Sequence, residues 1–410
     1  MRYAFLTTLI PPQLDTQVRY LSKNNMQDAA NALEWHIYNG LCRNLNEEIK
    51  IFNILPIGSF PQNYRKPFVK KSLFGTNTAK DNVNIGFCNI KLLRKYRQPI
   101  KIYRELDKWC SSNSCEKTLF VYTVCSPFMT AVSKLKKKHP DVRICAIIAD
   151  LPDMSSLSSN KSIFQKIYEE HLANNSYSRL DCIDAFVLLT RQMADYMKIT
   201  KPFCVIEGIS TEVSYRESIA DENSTKNILY TGTLHKRFGV LNLVNAFRMI
   251  SRDNYRLIIC GIGDSEDEIR KAALADSRII FKGQLPRNEV LKLQQEATVL
   301  VNPRQNTEEF TKYSFPSKNL EYLSSGKPLV AYKLDGIPDE YDDYIFYVKD
   351  NSVESLRDKL IEVCDNTDGS VPEKAKKAYD FVQDQKNEIA QTKKIIELLS
   401  ELNTNQGDLS

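Results

Sequence analysis

Asn227-Ile228-Leu229-Tyr230-Thr231-Gly232-Thr233-Leu234-His235-Lys236-Arg237-Phe238-Gly239-Val240 reads as a short apolar strand, a turn of small residues around Gly232, two adjacent cations and the first turn of a helix. Strand, glycine-bearing turn and helix, in that order, form the repeating unit of a parallel α/β sheet. Toward the C-terminus the unit recurs, with strands expected at 255–260, 278–281, 298–301 and 329–332 and helices at 239–250, 264–275, 288–296 and 316–324. This spacing predicts a doubly wound, Rossmann-like domain over 227–375. From Pro372 the chain is charged and helical in period, and a helix at about 380–410 is expected to pack back over one or both domains.

The first half follows the same rule. Apolar runs at 2–9, 50–55, 84–90, 118–124, 143–148 and 185–189 read as strands, and 28–41 reads as a helix, so 1–213 is expected to be a second Rossmann-like domain. A polar, Ser/Asn-rich stretch between Ile148 and Asp181, around one amphipathic segment, is expected to form a loop at the sheet's C-terminal edge, where ligands bind. The polar stretch 214–226 reads as the linker between the domains. A chain of 410 residues exceeds what one core supports, so the expected architecture is two facing domains with a cleft between them.

Composition narrows the class. Hydrophobic residues at 42% and charged residues at 26% are those of a folded soluble chain. The excess of 56 basic over 51 acidic residues is only +5 and is widely spread, which argues against a nucleic-acid partner. The densest basic cluster, Lys134, Lys136, Lys137 and Lys138, reads as the cationic end of a helix or as a patch for anionic lipid or an anionic acceptor. The ten cysteines lack paired metal-ligand spacing and mostly read as small buried hydrophobes in a reducing compartment; Cys110 and Cys115 are close enough to invite a disulfide, but the setting favours free thiols. The apolar N-terminus is too short to span a membrane, so membrane contact is expected only at the periphery.

Two stretches carry candidate chemistry. The turn at Gly232 and Thr233, followed by Lys236 and Arg237, suits an anionic ligand, because a glycine lets the backbone approach and the cations favour negative charge. Near it, Cys260-Gly261-Ile262-Gly263-Asp264 is read as a structural turn with Asp264 as helix N-cap; it lacks the third glycine of a dinucleotide fingerprint, which disfavours a nicotinamide oxidoreductase. In the second stretch, Glu308 to Val330, Pro316 is expected in the first turn of a helix that stops at Gly326. The amides of Ser317 and Lys318 would then face an anion, and Glu321, one turn on, would accept hydrogen bonds from a ribose. His235 is a further candidate for phosphate contact, whereas His36, His139 and His171 read as structural or exposed.

The succession Gly232, Lys236-Arg237, Lys282-Gly283-Gln284-Leu285-Pro286, Val301-Asn302-Pro303-Arg304, Phe315-Pro316-Ser317-Lys318, Glu321-Tyr322 and Gly326-Lys327-Pro328 resembles glycosyltransferase family 4, specifically over about 226–348. The resemblance implies the GT-B fold and transfer with retention from a nucleotide-diphosphate sugar to a saccharide or lipid-linked acceptor. It also implies a setting in surface polysaccharide or glycoconjugate synthesis, cytoplasmic and peripheral at the inner face of the plasma membrane. By position, Gly232 and its neighbours would meet the diphosphate, Lys236 or Arg237 would neutralise it, and Gln284 and Leu285 would border the base. Ser317 and Lys318 would hold phosphate and Glu321 the ribose. The sequence departs from the pattern twice: Tyr313 replaces the first glutamate of Glu-x7-Glu, and Thr233 and Phe238 replace the usual Arg and Lys after the glycine.

No cofactor or metal is expected, since cations and amides would stabilise the leaving group in place of Mg²⁺. Asp150, after an N-domain strand, is the candidate for contact with donor sugar or acceptor. Tyr313 and Thr233 keep open a catalytically inactive GT-B-folded partner that binds nucleotide or another transferase. A GT-B epimerase would need cleft acid/base groups, and the chain has only four histidines.

Overall fold

The computed structural model of the chain describes residues 1–23, 26–112, 115–151, 163–211, 213–215 and 225–407. It divides into two compact units, Met1–Ile206 with Glu388–Ser410, and Glu207–Asn387. Of the polar stretches expected as loop and linker, 152–162 and 216–224 lie outside the described residues, and the amphipathic segment within the expected loop is the helix Ile163–Tyr177.

In the first unit the strands are β1 (Arg2–Thr7), β2 (Ile49–Asn53), β3 (Phe68–Val69), β4 (Ser72–Phe74), β5 (Asn82–Asn84), β6 (Phe87–Cys88), β7 (Lys117–Tyr122), β8 (Arg143–Ile148), β9 (Ala185–Leu188) and β10 (Phe203–Val205). Eight of them form one sheet in the order β10-β9-β8-β7-β1-β2-β5-β4, parallel except for β4 against β5. The central strands are buried along their length, with Phe5 between Ile51 and Phe120, which is why they read as continuous apolar runs rather than alternating ones. The strand expected at 84–90 is instead two strands in different sheets, β5 in the main sheet and β6 in a ribbon with β3. The break falls at Gly86, where a Cβ would lie 2.4 Å from the Lys71 amide nitrogen, so backbone approaches backbone there and the strand cannot run on.

The tail splits between the units. Ser370–Gln385 is a helix of the second unit, and after Lys386 and Asn387 the helix Glu388–Gly407 packs on Asp28–Leu45 of the first. Gly40 makes the approach possible, since a Cβ there would lie 2.3 Å from the Glu388 carbonyl oxygen. Arg43 bonds Glu388 at 2.7 Å, and Asn44 bonds the Ile389 carbonyl and Thr392 hydroxyl at 2.8 Å each.

In the second unit, β11 (Lys226–Thr231), β12 (Tyr255–Cys260), β13 (Ile279–Gly283), β14 (Val299–Asn302), β15 (Leu329–Ala331) and β16 (Phe346–Tyr347) form a wholly parallel sheet in the order β13-β12-β11-β14-β15-β16. The strand order reverses between β11 and β14, and in such sheets the crevice beyond the strand ends at that point is where ligands bind. The unit's first residue and its last but one are joined by a buried ion pair: Lys386 Nζ lies 2.5 Å from Glu207 and 2.7 Å from Glu340, and the Tyr341 hydroxyl donates to Glu207 at 2.6 Å.

The lysine cluster, read as the cationic end of a helix or else as a patch for anionic lipid or an anionic acceptor, does end the helix Ser126–Lys138 and is largely engaged within the first unit. Lys136 bonds Asp184, Lys138 bonds Asp107, and Lys134 sits 4.4 Å over the Tyr103 ring. All ten cysteines are free thiols. Among the described residues no helix is long and apolar enough to cross a membrane.

Candidate functional site

Three loops meet at the C-terminal edge of the second sheet because glycines let them touch. A Cβ at Gly261 would lie 1.8 Å from the Gly232 carbonyl oxygen, one at Gly263 2.5 Å from that of Leu234, and one at Gly239, where φ is +77°, 1.9 Å from that of Pro303. The Gly232 amide bonds the Cys260 carbonyl at 3.0 Å, and the Tyr230 hydroxyl bonds the Thr233 carbonyl at 2.8 Å. Gly232 is thus locked between neighbouring loops, and the Thr233 side chain is exposed. Asp264 does not cap the following helix, which begins at Glu266 with Ser265 at its N-cap. Its carboxylate instead holds the His235 ring at 2.8 Å and the Lys236 amide at 2.9 Å, fixing the short turn Lys236–Phe238.

The two adjacent cations diverge. Lys236 is exposed and paired with Glu268 at 2.7 Å. Arg237 turns toward the loop after β14, 5.1 Å over Phe310, and one of its terminal nitrogens is buried without a hydrogen-bond partner. Arg304, from that loop, packs 4.3 Å over the same ring and 5.3 Å over Phe238, donates to Ser314 at 3.0 Å and leaves its Nε buried and unpaired. Burial, and next the Arg237 charge, push the Arg304 guanidinium down to about 10. Among the described residues neither guanidinium meets a carboxylate at ion-pair distance. Two like charges held together in partial burial with unspent donors form a ready site for a multiply charged anion.

Glu321 is the second centre. The helix Ser317–Leu323 is shorter than expected, and Pro316 stands before it as N-cap rather than in its first turn, because its backbone is extended. Tyr322 anchors this helix to the end of β11: its hydroxyl accepts from the Thr231 amide at 2.8 Å and donates to the Thr231 carbonyl at 3.0 Å. Buried Gln294 spans from Thr231 Oγ1, at 3.1 Å, to Glu321, at 2.6 Å. Lys318 lies 2.8 Å and Arg287 3.4 Å from the same carboxylate. Burial alone would raise the Glu321 carboxyl; Lys318, Gln294 and Arg287 outweigh it and hold Glu321 below the usual range, as a carboxylate. Lys318 is therefore committed to Glu321, while Ser317 stays exposed at the helix start. Gln284 is exposed and Leu285 half-buried in the loop before the helix Arg287–Glu296; Tyr313 ends the short helical turn Glu309–Tyr313. Arg304 and Gln294 were not assigned roles by the sequence reading. A buried glutamine in a helix of charged residues has no sequence signature, whereas Arg304, just beyond a strand end, does.

The first unit carries a cavity of about 620 Å³ at the ends of β1, β7 and β8, again where the strand order reverses. Asp150 lines it; its side chain keeps an exposed face, yet the protein around it raises its carboxyl above the usual range. Thr123 lines it with φ +67°, rare for a β-branched residue, and the buried Tyr122 hydroxyl lacks a partner. The sequence reading passed over Glu34, from the helix Asp28–Leu45, which is 2% exposed. It accepts from the hydroxyl of Thr7 and from the amide and hydroxyl of Thr8, the latter two at 2.9 and 2.8 Å, and burial still pushes it up to about 7.

Glu34 predicts a pH dependence with a definite sign. Its folded-state value is raised above the ordinary 4.5, so the folded chain holds a proton that the unfolded chain has lost between pH 4.5 and 7. Stability falls as pH rises through that window, by about 3 kcal/mol, and is flat above it. Glu34→Gln fits the same bonds, with its oxygen toward Thr7 and the Thr8 amide and its NH₂ toward the Thr8 hydroxyl. It is expected to raise the melting temperature at pH 8 and to flatten the slope between pH 5 and 7; an unchanged slope in thermal melts would place the titration elsewhere.

Together these features define an α/β chain of two Rossmann-like units, the second of which holds a partly buried arginine pair and, separately, the ionised Glu321 carboxylate. Residues 213–385 match the family of glycosyl transferases group 1. Over 130 residues the chain is 26% identical to an uncharacterized glycosyltransferase of Methanocaldococcus jannaschii, a match spanning about a third of each protein. Three similar solved structures are the apo lipopolysaccharide outer core galactosyltransferase WaaB (TM-score 0.64, 13% identity, 98% of this chain and 99% of that one), a sucrose-phosphate synthase of Thermosynechococcus elongatus (0.61, 12%, 99% and 100%) and Anabaena HepE in complex with UDP (0.58, 11%, 98% and 100%). At these identities the likeness establishes the fold, which is GT-B.

Proposed function

We propose that the chain is a retaining glycosyltransferase that moves a sugar from a nucleoside-diphosphate sugar to a saccharide or lipid-linked acceptor. The observation that carries this reading is the Arg237–Arg304 pair, two partly buried guanidiniums with unspent donors beside the Gly232 turn. A diphosphate supplies the missing charge, and as the bond to the anomeric carbon breaks the same cations stabilise the charge growing on the leaving group, with no metal in the scheme. Glu321, held ionised, takes the ribose hydroxyls, and Gln284 and Leu285 border the base. The Thr233 amide, in the turn that Gly232 allows, and Ser317 complete the phosphate cradle, since the Gly232 amide is committed to the Cys260 carbonyl; Lys318 acts through Glu321, and Tyr313 faces the sugar. In the first unit Asp150 and the cavity it lines take the acceptor. The group 1 match over 213–385 and the complex of Anabaena HepE with UDP support a nucleotide donor. The setting of this reading is surface polysaccharide or glycoconjugate synthesis at the cytoplasmic face of a membrane.

Calorimetric titration with UDP, GDP, ADP and the matching nucleotide sugars tests it. One nucleotide is expected to bind preferentially, and Glu321→Ala and Lys318→Ala are each expected to weaken it by about 1–3 kcal/mol. Absence of binding to every nucleotide would overturn the donor site; binding without sugar transfer would favour the inactive partner.

A further inference from the structure

We propose that the helix Lys91–Ser111 docks the first unit on an anionic lipid surface. The helix buries Gln98, Pro99, Ile102, Leu106 and Trp109 on one side. On its outer side Leu92, Tyr96 and Ile100, spaced four residues apart and so stacked along one stripe, are 73%, 66% and 49% exposed, with Leu93 beside them at 40%. Phe68, on the ribbon strand paired with β6, and Leu73 on β4 are exposed by 63% and 65%, and β6 packs against this helix.

Charge selects the occupant. From Lys91 to Arg104 the helix carries six cations and no acidic residue. Arg94 turns inward, bonding the Ile57 carbonyl at 2.7 Å and lying 4.8 Å over Phe87, and Lys95 is half-buried against the Tyr96 ring. Lys91, Arg97, Lys101 and Arg104 are exposed around the apolar stripe. A basic helix with an exposed aliphatic and aromatic face suits the boundary of an anionic bilayer, where apolar side chains enter the acyl region and cations meet headgroups. Protein interfaces are depleted of lysine, and aliphatic side chains offer single-stranded nucleic acid no stacking platform. This face thus takes the place of the Lys134–Lys138 cluster, whose charges are largely committed inside the unit.

The inference deepens the membrane setting of the proposed function and is tested apart from the transfer reaction. The full chain is sedimented with vesicles of phosphatidylcholine alone and of phosphatidylcholine mixed with phosphatidylglycerol, at low and high salt. Binding is expected only to the mixed vesicles, and it falls as salt rises. Leu92→Glu/Ile100→Glu and Arg97→Gln/Lys101→Gln, all at exposed positions, are each expected to reduce partitioning roughly tenfold or more, with thermal melting and calorimetric nucleotide binding unchanged. Equal binding to both vesicle types, binding undiminished in both variants, no vesicle binding, or a stripe-dependent shift to a dimer in sedimentation would each overturn the proposal. Nucleotide binding on the same preparations keeps a failure of this surface distinct from a failure of the donor site.

Discussion

Lys386→Met is expected to destabilise the second unit by about 3–5 kcal/mol, the cost of stranding a buried charge. Lys386 and Glu207 are each about 1% exposed in their side chains, and the lysine also sits 5.1 Å over the rings of Tyr341 and Phe381. Methionine fills the space and keeps the ring contacts, so the loss reports the charge. Glu340 is 43% exposed and regains water, whereas Glu207 is left with the Tyr341 hydroxyl. Both tryptophans, Trp35 and Trp109, belong to the first unit, so intrinsic fluorescence follows the wrong part of the chain. Hydrogen exchange resolved over residues 207–387 follows the right one. Adding Glu207→Gln is expected to restore much of the loss, since a neutral amide accepts from Tyr341 without needing a cation. A single variant as stable as the parent would show that the buried Lys386–Glu207 pair adds nothing net to the stability of the second unit.

Arg304→Met is expected to weaken nucleoside-diphosphate binding by about 1.5–3 kcal/mol, roughly tenfold to a hundredfold, while leaving the melting temperature unchanged or raised. The opposite directions are the point. In the free protein Arg304 is partly buried beside Arg237, and its charge is disfavoured first by burial and then by that neighbour. Methionine retains the apolar packing on Phe238 and Phe310 and removes the repulsion. A bound diphosphate reverses the balance, because it brings the counter-charge that the site lacks. Calorimetry and thermal melting on the same preparation check both halves. Undiminished binding would show that the arginine pair does not hold the anion, whereas loss of both binding and stability would mean that Arg304 is mainly a packing residue.

Much of the architecture was legible because it depends on local order. The strand Lys226–Thr231, expected from Asn227 to Tyr230, a glycine turn and the helix Val240–Arg248 follow from apolar runs and from residues that only a turn needs. The close approaches of Gly232, Gly239, Gly261 and Gly263 explain why glycine stands at each position, and those glycines are visible without coordinates. Glu321 was legible as well, one turn into a helix that a proline announces. The failures were local in a different sense. Asp264 has the composition of an N-cap, but its carboxylate found donors at His235 and Lys236 across the turn. Gly86 interrupts a run that reads as one strand, since its neighbour across the gap is Lys71 rather than a continuing ladder.

By itself, then, the sequence determined the alternation of the main strands and helices in both units and the glycine turns at the second sheet's edge, because these rest on contacts among residues near in the chain; the short strands Phe68–Val69, Ser72–Phe74, Phe203–Val205 and Phe346–Tyr347 carry too few residues for a pattern to show. Tertiary structure alone decided which side chains act together. Arg237 meets Arg304 because β11 and β14 are neighbours in the sheet, a fact of strand order rather than of sequence distance. Gln294 reaches both Thr231 and Glu321 for the same reason, Lys386 finds Glu207 across the whole length of the second unit, and Glu34 lies against Thr7 and Thr8 because its helix packs over the end of β1. Charge and burial at such sites are set by partners far away in the chain, and periodicity carries no information about them.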